Sequence, residues 1–183
     1  MAAKHFLLLA RGKDRPGILA AVTQVLYIAG CNLEDVSVAH SAGEFALLVQ
    51  FSGPDALSEN SVESALERVG RELELNFEVK PVEEKAAKAA SKPRGKMALI
   101  SVHGPDRPGM LFRLSSQLAK LKVNLIELNT HRMAESRHAP GAVLFLEAEL
   151  PAKMDGDELK KKLAGLGKEL GVSIHVKGVR GGH

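Results

Sequence analysis

Two tetrapeptides, Asp14-Arg15-Pro16-Gly17 and Asp106-Arg107-Pro108-Gly109, hold the residues best suited to chemistry, and they stand 92 positions apart. Each joins an apolar, strand-like run to an amphipathic helix pattern. A proline at the first helical position presets φ and sacrifices an N–H that would have lacked a partner, so Pro16 and Pro108 are expected there. Gly17 and Gly109 then leave the backbone uncovered. Free amide N–H groups at the positive end of a helix dipole can receive a carboxylate or a phosphate. Asn32 and Asn124 are also 92 positions apart, and the first helix of each half is expected to return its Asn close to the loop. An Asn oxygen or the loop Asp offers the acceptor that an ammonium needs, so loop and Asn together suit a zwitterion. Taken singly, the same residues read as helix starts, dipole-complementing acids, solvated arginines and turn residues. The recurrence of the whole set in matching context favours the ligand reading.

The elements that must position these residues follow from hydrophobic period. Phe6 to Ala10 and Ala98 to Val102 are short apolar runs that suit buried strands. After the loops, Ile18, Leu19, Val22, Val25 and Leu26 share one helical face, as do Met110, Leu111, Leu114, Leu118 and Leu121. Asn32 to His40 and Asn124 to His131 read as second strands. Phe45, Leu47, Val49 and Phe51, and then Leu144, Leu146, Ala148 and Leu150, alternate as third strands. Second helices carry Val62, Leu66, Val69 and Leu73, or Leu159, Leu163, Leu166 and Leu170, and Leu75 to Lys80 and Val172 to Lys177 close the halves. Each half is thus β-α-β-β-α-β, whose simplest closure is a four-stranded antiparallel sheet with both helices on one face, the ferredoxin-like α+β fold. The domains are residues 1–81 and 97–183. Residues 82–96 form a linker with a helix-prone start and a break at Pro93. The first and third strands are apolar on much of both faces, which predicts a neighbouring domain or subunit over the outer one. The second hairpin, Arg132 to Gly141, is six residues longer than the first. Holding Arg132, Arg137 and His138 next to His131, it reads as a solvated insertion, with a basic lid over a ligand as the alternative.

Hydrophobic residues at 45% and charged residues at 26% exclude disorder. No apolar run has bilayer length and the first residues lack a signal-peptide pattern, so a cytosolic protein is expected. Cys31, the single cysteine, excludes an internal disulfide and makes a thiolate metal site unexpected. No metal-ligand spacing and no cofactor motif appears. Residues 1–81 hold seven basic and eleven acidic side chains, a net of −4, whereas 82–96 carry +3 and 97–183 carry +4. This gradient favours packing between halves or chains over direct nucleic-acid binding. Six Phe, one Tyr and no Trp, mostly in strand runs, also argue against a base-stacking sheet. The enzyme alternative is an acylphosphatase-like hydrolase, which on this fold uses a loop Arg and an Asn on the next strand. Its loop is a Gly-led cradle ending in Arg, unlike the Pro-Gly here, and no nucleophile-base-orienter set is present. No catalytic activity is expected.

The order strand, Asp-Arg-Pro-Gly-(Ile/Met)-Leu, amphipathic helix, then Asn-Leu opening a strand resembles the ACT domain. Two such units in tandem are similar to regulators of the glycine cleavage repressor type. The resemblance implies free amino acids bound at interfaces between paired domains, through Asp14, Arg15, Pro16, Gly17 and Asn32, and through Asp106, Arg107, Pro108, Gly109 and Asn124. It implies glycine or serine as first guess, a homo-oligomer, and action on a protein partner such as a transcription activator. The longer second hairpin departs from a strict repeat.

Overall fold

Alternation along the strands decides which residues enter the core. The computed structural model describes residues 3–90, 95–136 and 139–179. The chain forms two compact units, Met1–Lys92 and Pro93–His183. The first contains β1 (Lys4–Lys13), α1 (Ile18–Ile28), β2 (Asn32–Ser41), β3 (Glu44–Gly53), α2 (Glu59–Leu73), β4 (Leu75–Val82) and α3 (Glu84–Ala90). Its sheet order is β2-β3-β1-β4 with every neighbouring pair antiparallel. Phe6, Leu8 and Ala10 of β1 and Phe45, Leu47, Val49 and Phe51 of β3 are buried with Ile18, Val22 and Leu26 of α1 and Val62, Leu66 and Val69 of α2. Phe6 and Phe51 stack at 5.4 Å between ring centroids. Alternate residues of the same strands face outward, leaving Leu9 and Leu48 exposed. Cys31 is half-buried against this core.

The second unit repeats the plan with β5 (Met97–Pro105), α4 (Met110–Lys120), β6 (Asn124–Ser136), β7 (Ala139–Glu149), α5 (Gly156–Leu170) and β8 (Ser173–Val179). Its order is β6-β7-β5-β8, again antiparallel. Both units are therefore ferredoxin-like. The longer helices are stopped deliberately. Ser58 and Ser61 form a capping box at the start of α2, and the Asp155 carboxylate accepts from the Glu158 N–H at 2.8 Å at the start of α5. Both helices end on a left-handed residue, Glu74 at φ 56° and Gly171 at φ 66°.

The extra six residues do not form a loop. They lengthen β6 and β7, which stay paired to Ser136 and Ala139 past an irregularity between Met133 and Ser136. Arg137 and His138 lie outside the described residues, as does Pro93. The two units divide within the segment 82–96, where α3 belongs to the first unit and Ala87 is buried. Among the described residues no helix is long and apolar enough to cross a membrane.

Candidate ligand site

The loop after β1 is held from both sides. The Asp14 N–H donates to the Gly43 carbonyl in the β2–β3 hairpin at 2.9 Å, which ties loop to hairpin tip. Gly17, at φ 92° and ψ −7°, is the N-cap of α1 and supplies no side-chain cap. Gly109 at φ 82° and ψ −2° is likewise the N-cap of α4. The helices therefore begin at Ile18 and Met110, so Pro16 and Pro108 precede the N-cap and do not occupy the first helical position. Pro-Gly with these glycine angles is a type II turn, closed in the second unit by the Met110 N–H donating to the Arg107 carbonyl at 3.2 Å. The turn accounts for both residues, because Pro suits its second position and only Gly readily takes the positive φ of its third. A Cβ placed on either glycine would meet no described atom within 4 Å. Open space thus borders a helix start whose first-turn N–H groups have no side-chain cap.

The charged loop residues differ between units. Arg15 Nη2 lies 2.8 Å from Glu74 Oε1, Lys13 Nζ is 3.9 Å from the same carboxylate, and His40 Nδ1 is 3.1 Å from Asp14 Oδ2. The hydrogen bond from Arg15, then its charge and that of Lys13, hold the Glu74 carboxyl below its ordinary range. In the second unit Gly171 occupies the helix-end position of Glu74, and Arg107 Nη1 lies 3.8 Å from where a Gly171 Cβ would be. No carboxylate stands at that position.

Asn32 and Asn124 are not brought to their own loops. Asn32 pairs with Ser52, and Ser52 with His5, near the start of β1. The loop follows Lys13, eight residues along that strand, or about 27 Å away. Asn124 pairs with Glu149, opposite Met97, at the corresponding far end. Beside Asn32, the Glu34 carboxylate accepts from Gln50 Nε2 at 2.8 Å and lies 3.0 Å from His5 Nδ1. Burial pushes its pKa up, but hydrogen bonds from Gln50, Ser52 and His5 and the His5 charge together bring it below the ordinary value.

The ACT domain family matches residues 4–80 and again residues 96–177. The chain belongs to the ACT-domain family. It is similar to the glycine cleavage system transcriptional repressor of Escherichia coli (strain K12), 28% identical over 93% of this chain and 88% of that protein. The protein of the same name from Shigella flexneri gives the same figures. Its fold is shared with the crystal structure of an unknown protein from Galdieria sulphuraria, at TM-score 0.81 and 23% identity over 97% of this chain and 99% of that one. By these relationships the chain is a regulatory, non-enzymatic ACT protein related to the glycine cleavage repressors.

Two polar partners in the first ACT unit had no local signature in the sequence. His40 reaches Asp14 only because the hairpin folds over the loop, and Glu74 reaches Arg15 only because α2 ends there. Aligning the two ACT units by their second helices shows the Glu74-to-Gly171 exchange and marks the position. Among the described residues no group of three or more His, Cys, Asp or Glu side chains is placed to hold a metal ion.

Proposed function

We propose that this ACT protein senses a small free amino acid, glycine or serine first, and acts through a protein partner in transcriptional or metabolic control. The observation that carries the reading is the uncapped, type II-turned helix start beside an Arg, built twice. It offers N–H donors and positive charge to a carboxylate. The choice of glycine or serine rests on similarity to repressors of the glycine cleavage system.

The ammonium half of the site comes from a second chain. β2 is an exposed edge strand with Leu33, Val36 and Val38 each about 40% accessible. Antiparallel pairing of two such edges sets the start of one β2 beside the end of the other. Asn32 of one chain then approaches the Asp14–Gly17 loop of the next, and the same pairing through β6 carries Asn124 to an Asp106–Gly109 loop. A homo-oligomer is thus part of the binding mechanism. Arg107 is the better anion receiver, because Glu74 already occupies Arg15. The sensor works without contacting nucleic acid itself.

Thermal-shift measurements with each of the twenty amino acids at millimolar concentration test this. Ligand at one hundred times Kd stabilises by about 2.7 kcal/mol, roughly several degrees of Tm. Asn32→Ala or Asn124→Ala should reduce the shift, and Arg107→Ala should reduce it more than Arg15→Ala. Absence of a shift with every amino acid, or shifts untouched by all four substitutions, would refute the reading.

A further inference from the structure

His103, His131 and His175, three of the seven histidines, lie on the face of the second sheet that points away from α4 and α5, and all three are exposed. Cross-strand register fixes their places. His131, Val143, His103 and Ser173 form one row across β6, β7, β5 and β8, and Asn129, Phe145, Ser101 and His175 form the next. His103 and His175 are therefore diagonal neighbours on paired strands. Their ring centroids are 5.8 Å apart and the rings stand nearly perpendicular, at 79°. His103 Nε2 lies 3.3 Å from Ser101 Oγ, and Ser101 is the register partner of His175. One nitrogen of His103 is thus turned along β5 toward the row that holds the second imidazole.

We propose that His103 and His175 together bind one divalent late first-row transition metal ion, of the class of zinc or copper(II). Imidazole nitrogen sits about 2.0–2.1 Å from such an ion, which puts each ring centroid about 3.2 Å from it. Two rings at a tetrahedral angle then have centroids about 5.2 Å apart. The observed separation closes to that value by small side-chain rotations. No backbone has to move, because β5 and β8 are paired from Met97 and Val179 to His103 and Ser173. His131 does not join them. Val143 stands between it and His103 in their row, which sets the two strands about 9.6 Å apart. Phe145 on β7 meets both rings edge to face, at 5.9 Å from His131 and 6.3 Å from His103. The remaining coordination positions belong to water. Copper(II) should bind more tightly than zinc, as expected of nitrogen donors. The site shares no residue with the loops proposed to receive an amino acid, and it stands whether or not those loops bind one.

The test uses the full chain without a histidine tag, stripped with chelator and carrying Cys31→Ser so that no native thiol competes. In titration calorimetry with zinc, His103→Ala and His175→Ala should each weaken binding by at least about tenfold, whereas His131→Ala should leave it unchanged. His175→Cys supplies a positive signal, because a thiolate is itself a metal ligand. Excess cobalt(II) should give that variant a thiolate-to-metal charge-transfer absorption in the near ultraviolet, and adding His103→Ala should diminish it. The proposal is overturned if the parent takes up no zinc, if both alanine variants at the pair bind as the parent does, if His131→Ala weakens binding as much as they do, or if His175→Cys gives no cobalt absorption.

Discussion

Replacing Gly17 by Ala isolates the backbone feature on which the first loop depends. At φ 92° the new Cβ would meet no described atom within 4 Å, so the methyl group causes no collision. Its cost is the left-handed conformation, about 1–2 kcal/mol for a residue with a Cβ. Loss of glycine's freedom in the unfolded chain offsets about 0.4–1 kcal/mol of that. The net expectation is a destabilisation of about 1 kcal/mol, or about 4–8 °C in the melting of a unit of this size. Gly109→Ala, at φ 82° and equally open, should behave alike. Asn, which enters the left-handed region more readily, should recover part of the loss at either position. Gly12→Ala is the contrasting case, because its Cβ would lie 2.5 Å from the Glu74 carbonyl oxygen and 2.9 Å from Leu75 Cδ2. A backbone collision cannot relax by a side-chain rotation, so Gly12→Ala should cost about 2–3 kcal/mol. Urea unfolding followed by circular dichroism measures all five variants. If Gly17→Ala is as stable as the parent, or as damaging as Gly12→Ala, the positive-φ turn is not what shapes the loop.

The Glu34 carboxylate has a depressed pKa in the folded protein, so its stabilisation is complete above the ordinary value near 4.5 and fades as the pH falls through the folded value. Glu34→Gln should therefore melt below the parent at pH 7 and converge with it in acid; a Tm gap that stays constant from neutral pH to about pH 3 would contradict this. Ser58→Ala removes the oxygen that accepts from the Ser61 N–H and should cost about 1 kcal/mol, read from denaturant midpoints. No change would mean that the capping box is not formed in solution.

Periodicity made the fold legible because two independent periods agree at every element. Leu8 and Val49 alternate into the core from strands, Val22 and Leu66 meet them from helices, and the 92-residue offset carries the first three elements into the second unit. Pro16 was harder to place, since the proline that suits a helix start also suits a type II turn, and only φ at Gly17 separates them. The six extra residues of the second hairpin are compatible with either a loop or longer strands. Asn32 lies at the far end of the sheet from its own loop because of the direction in which α1 runs. α1 has 11 residues, about 16 Å of rise, so it returns the chain down the sheet toward His5 and away from the loop. On the proposed reading, an Asn that opens the second strand serves a site completed by another chain.

The two loops share backbone geometry without sharing electrostatics. Both helix-end positions, Glu74 and Gly171, adopt the left-handed conformation, which suits glycine and disfavours glutamate. Glutamate in the first unit therefore has a backbone cost that glycine in the second lacks, and its carboxylate contacts both Arg15 and Lys13. Those contacts pair the guanidinium of the first loop with a carboxylate. At the second loop the Arg107 guanidinium instead meets a glycine, with Nη1 3.8 Å from where a Gly171 Cβ would be. An incoming carboxylate would have to compete with Glu74 for Arg15 at the first loop, whereas the corresponding helix-end residue at the second is Gly171. On the proposed reading the duplicated sequence thus encodes one stronger and one weaker receiver, and the side chain responsible lies on a different element from either loop.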